Sequence, residues 1–132
     1  MKKNIVNLWP KDLGSNATIT MPKEILLQQA NFLSEMAKNI IVGEVRSNQG
    51  VSGNEKVIVH ELIVKAPSIG NYQFTLLRVM HNYNIYPISV FDALKEEDLQ
   101  AATEEEFIAI LAEVFNSSQT KNAITGLIAQ SM

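Results

Sequence analysis

The sequence has no cysteine, one tryptophan and two histidines in 132 residues, and this poverty in reactive side chains limits its chemistry first. Without cysteine there is no disulfide, no thiolate metal ligand and no thiol nucleophile, so packing alone must hold the chain together. At this length packing suffices, since a domain of about 130 residues buries roughly two-thirds of the surface its unfolded chain exposes. A cysteine-free chain also suits a reducing compartment, and the cytoplasm is the expected location. Long apolar runs are missing too: none approaches the ~20 residues of a membrane-crossing helix. Asn4, Asn7, Pro10, Lys11 and Asp12 interrupt any leader-like stretch behind the basic start, so neither a signal peptide nor a membrane partner is expected. The Asn16-Ala17-Thr18 and Asn116-Ser117-Ser118 sequons then carry no weight, because glycosylation requires secretion.

Phosphate-binding and nucleophile motifs are absent as well. The Gly50 and Gly53 spacing in NQGVSGNE (48–55) matches neither a P-loop nor a dinucleotide fingerprint and opens no helix; it reads as an exposed loop between strands. No G-x-S-x-G elbow occurs. Tyr72, Phe74, Arg78 and Lys65 would share a face, but no RNA-binding motif accompanies them and the predicted pI is near 5.3, so no nucleic-acid partner is expected. The acidity is local. Residues 92–113 hold eight acids and one base, against six acids and ten bases elsewhere, a segment of −7 on a body of +4. Such a run reads as a solvated helix face.

What is present is amphipathic patterning. Residues 1–21 form an arm with Ile5, Leu8, Trp9 and Leu13 as isolated apolar anchors. Pro22 opens a helix over 22–39, with Glu24 favoured in its first turn, an apolar stripe through Leu26, Ala30, Leu33 and Ala37, and Phe32 and Met36 read as packing residues. Strands are predicted over 41–47, 56–65, 72–80 and 85–91, the last on an edge because Pro87 cannot donate a ladder hydrogen bond. Residues 93–132 read as C-terminal helices, the first capped by Thr103 and Glu106 and the second starting near Ser117. The expected fold is therefore a single α+β domain over 1–132, a four-stranded antiparallel meander with one helix before it and two after.

A hairpin pairing Lys65 with Tyr72 makes both faces of the central strands largely apolar, so both should be covered. In that register His60 and His81 share a face but lie roughly 13 Å apart at ~3.3 Å per residue, too far for common metal ligation. Glu61 falls on an apolar face with Arg78 diagonally opposite, which predicts a structural ion pair. No catalytic, cofactor or metal site is expected, and no cofactor is implied. The leading expectation is a small, non-enzymatic protein-interaction domain of adaptor, immunity or assembly type, homodimeric or bound to another protein, with Trp9 and Leu77 at the interface. The competing expectation is a small-ligand binder or enzyme with a pocket between sheet and helices lined by His60, Glu61, Tyr72 and Arg78.

Overall fold

The computed structural model of the chain describes residues 4–14 and 19–132; the Asn16-Ala17-Thr18 sequon and part of the 1–21 arm lie outside them. Helix α1 runs Pro22–Met36, with Pro22 in its first turn, where a missing N–H costs nothing, and Glu24 beside the positive end of the dipole. It stops three residues before the expected end. Lys38 and Asn39 both take left-handed backbone, which reverses the chain into the sheet.

Strands β1 (Val42–Ser52) and β2 (Glu55–Ala66) form one long hairpin, paired through to Ser52 opposite Glu55. The loop expected over 48–55 is thus strand, apart from the two-residue turn Gly53-Asn54, where Gly53 adopts a positive φ of 64°. Asn48 and Gln49 look loop-like in sequence because β1 is an edge strand and both are exposed.

Strand β3 (Tyr72–His81) follows a 3₁₀ turn at Pro67–Ile69. Its register with β2 differs from the expected one: Lys65 faces Gln73 rather than Tyr72, and a bulge at Leu76 shifts the ladder again, so that Leu62 faces Leu77 and Glu61 faces Arg78. The bulge lets two neighbouring residues, Leu76 and Leu77, both bury, at 1% and 0% exposure.

Five strands are present rather than four. Strand β4 (Ile88–Asp92) begins after Pro87, so the proline does not interrupt the ladder and β4 lies inside the sheet. Strand β5 (Glu97–Ala101) comes from the acidic segment read as helical. The buried Asp92 carboxylate accepts from the backbone N–H groups of Leu94 and Lys95, closing a turn that returns Leu99 opposite Val90 and Ala101 opposite Ile88. The sheet is an antiparallel meander in the order β1-β2-β3-β4-β5. Helix α2 (Glu104–Phe115) starts on the Thr103 hydroxyl, which accepts from the Glu106 N–H; helix α3 (Ser118–Ser131) starts on Ser117, which accepts from Thr120.

One face of the sheet carries the core. Leu62, Val64, Leu77, Val79, Ile88 and Val90 pack with Leu26 and Ala30 of α1, Phe107, Leu111 and Val114 of α2, and Leu127 of α3. Helix α1 approaches closely at Gly43 of β1: a Cβ there would lie 2.8 Å from the Ala30 backbone, and the Gly43 N–H donates to the Ser34 hydroxyl at 3.0 Å. The second face is not covered by these helices, which overturns the expectation of a twice-covered sheet. Ile63 and Val57 on this face are nevertheless buried, at 1% and 8% exposure.

Candidate functional site

The two histidines meet. Because His81 lies opposite Ile58 and not Lys56, it is a diagonal neighbour of His60, and their Nε2 atoms are 3.0 Å apart with both residues 4% exposed. Ser47, directly opposite His60 on β1, bonds His60 Nδ1 at 2.7 Å, and His81 Nδ1 donates to the Asn82 carbonyl at 2.9 Å. The carbonyl can only accept, so His81 carries its proton on Nδ1 and, when neutral, presents a lone pair at Nε2. His60 then donates from Nε2 and accepts from Ser47 at Nδ1. Sequence reading missed Ser47; placing the hairpin turn at Gly53-Asn54 would have put it opposite His60.

A serine, a histidine and a third group orienting it have the connectivity of an activated nucleophile. The chemistry does not follow. Burial, then the neighbouring His81 and Lys23 charges, lower the His60 pKa from 6.5 to about 4, leaving a weak base. None of the open grooves described below includes Ser47. The dyad is a satisfied core element, and among the described residues no group of three or more His, Asp or Glu is placed to hold a metal ion.

Glu61 and Arg78 face each other on the uncovered side of the sheet, 3.4 Å apart, with the Arg78 guanidinium 5.8 Å from the centre of the Phe91 ring. Glu44 bonds Arg46 and Lys65 on the same surface, and Arg46 reaches Gln73. This is a half-exposed network worth roughly 0.2–1 kcal/mol per pair, and it lines no pocket with His60, which faces the other way. Tyr72 is 56% exposed and borders a groove between β3 and α3 with Phe74 and Ala123. The four residues expected around one pocket are therefore not gathered, and Leu77 lies fully buried in the core.

The structure instead opens a trough between α1 and the α2–α3 pair. One end, about 510 Å³, is lined by Glu24 and Gln28 facing Glu104, Ile108 and Leu111. The other, about 410 Å³, lies between Phe32, Leu33 and Met36 on α1 and Ile124 on α3, with Leu62 and Leu76 as its floor. Gln29, Phe115 and Asn116 line both, so the two are adjacent. Phe32 and Met36, read from sequence as packing residues, are 54% and 84% exposed on its rim.

The arm adds further exposed apolar surface. Ile5, Val6, Leu8, Trp9 and Leu13 are between 68% and 84% exposed. Within it the Leu13 N–H donates to the Pro10 carbonyl and the Trp9 N–H to the Asn7 side chain. Among the described residues no helix is long and apolar enough to cross a membrane. No family model, curated protein or solved structure matches the chain.

Proposed function

We propose that the chain is a small, non-enzymatic protein-interaction domain that works as a homodimer in the cytoplasm. The observation that carries this reading is the arm, whose five large apolar side chains stand in solvent, a state that is costly unless another surface covers them. The cysteine-free composition, which asks nothing of an oxidising compartment, supports the location. An adaptor, immunity or assembly role fits such a module. Native mass spectrometry of the full chain tests it: a ligand-free dimer is expected. A monomer that retains a small molecule would favour the second reading, a ligand-binding protein, for which the apolar floor of Leu62 and Leu76 in the trough is the supporting observation.

A further inference from the structure

Resting on the reading of a protein-interaction domain, we infer that the free edge of β1, from Val45 to Val51, takes an extended segment of another protein as an added strand. The turn and α1 together identify which backbone groups face outward. Gly53-Asn54 is a two-residue turn closed by Ser52 and Glu55, and the residues flanking such a turn exchange hydrogen bonds. Bonding alternates along an antiparallel ladder, so the even-numbered residues of β1 bond to β2 and the odd-numbered ones point their N–H and C=O groups away. Gly43 agrees: its N–H leaves the ladder for the Ser34 hydroxyl of α1 at 3.0 Å. Beyond that contact, the outward groups of Val45, Ser47, Gln49 and Val51 have no hydrogen-bond partner among the described residues. The row spans about 20 Å at ~3.4 Å per residue.

Sheet edges are normally guarded against pairing, and the two edges of this sheet differ in that respect. Strand β5 is five residues long and carries Glu97 and Asp98. Strand β1 is eleven residues long and pairs with β2 without a bulge; its residues 45–51 hold no proline, no lysine and one charge, Arg46. That arginine turns inward over the sheet, to Gln73 of β3. A straight, unguarded row of main-chain donors and acceptors is what strand addition uses, with alternate side chains supplying selectivity. The helix-side face of β1 sets the partner's sequence. Val45 packs against the core at one end, Val51 stands 73% exposed at the other, and Ser47 and Gln49 lie between. An antiparallel partner of seven residues therefore places β-branched apolar residues opposite the valines and hydroxyl residues between them. On the open face it places an acid opposite Arg46.

The probe is an acetylated and amidated peptide, Val-Ser-Thr-Ser-Thr-Glu-Val, added to the full chain. Before it is added, hydrogen exchange followed by NMR should be fast at the amides of Ser47, Gln49 and Val51 and slow at those of Arg46, Asn48 and Gly50. Peptide at millimolar concentration should slow the odd-numbered set several-fold. N-methylation of the two threonines, whose N–H groups face β1, should abolish that protection, whereas N-methylation of the two serines should preserve it. On the protein side, Gln49→Pro removes only an outward N–H; circular dichroism should show the variant folded, and peptide binding should be lost. The methylated peptides test the same contact without altering the chain. No protection, protection that survives methylated threonines, or full binding by folded Gln49→Pro would each overturn the inference. None of these outcomes touches the homodimer, which native mass spectrometry reads separately. Protection of the odd-numbered amides that grows with protein concentration in the absence of peptide would place a second copy on the edge, overturning the inference while keeping the homodimer reading.

Discussion

Between His60 and His81 two ring nitrogens face each other at 3.0 Å, and only one of them can carry a proton in that line. The pair is satisfied when both rings are neutral, and charging His60 would put a cation in a site where both residues are 4% exposed. This agrees with the lowered pKa of His60, about 4 against an ordinary 6.5, for which burial is the largest cause. The sign of the pH effect follows. Between 6.5 and 4 the unfolded chain binds the proton that folded His60 refuses, so stability is complete above 6.5 and is lost as pH falls towards 4, by at most about 3 kcal/mol. His60→Gln keeps an N–H donor for His81 but does not titrate. Urea unfolding across this range should show a shallower fall for the variant, whose neutral-pH stability is about 1 kcal/mol lower. Equal slopes in both proteins would show that the dyad does not carry the acid sensitivity.

At the level of elements, the contact between α1 and β1 is set by the missing side chain of Gly43. Gly43→Ala would place a methyl group 2.8 Å from backbone atoms of Ala30, which cannot rotate away, and would disturb the bond to Ser34. The expected cost is about 1–3 kcal/mol by urea denaturation, the range for overpacking a close contact. A variant as stable as the parent would mean that α1 sits further from the sheet. That glycine read only as a strand residue in the sequence, whereas the capping signals at Thr103 and Ser117 were legible because they act within four residues. The hairpin between β2 and β3 shows the limit of such reading. Its turn region was found, but Leu62, Val64, Leu76 and Leu77 are all apolar, so either register buries hydrophobic residues and the Leu76 bulge leaves no compositional mark. The His60 and His81 contact was invisible for the same reason, being two residues of register away. Strand β5 was hidden by its acids, with only Leu99 and Ala101 turned to the core in a five-residue strand.

For the molecule as a whole the proposed homodimer raises the question of which surface would meet a second copy: the uncovered sheet face or the exposed arm. The sheet face is already internally matched, since Glu61 meets Arg78, Glu44 meets Arg46 and Lys65, and Ile63 beneath them is 1% exposed. Burying that face in a dimer would strip water from several half-exposed charges with little apolar area left to gain. The arm has the opposite character, with large apolar side chains and few charges. Val59, half-buried on the open face between Asn48 of β1 and Met80 of β3, separates the two. A lysine there can lay its stem along the sheet and keep its ammonium in water. Val59→Lys should therefore lower stability by less than about 1 kcal/mol, the span of strand preference. It should leave the dimer dissociation constant within about twofold of the parent, as expected of sites that share no partner. If sedimentation finds the variant folded but monomeric, the interface lies on the sheet.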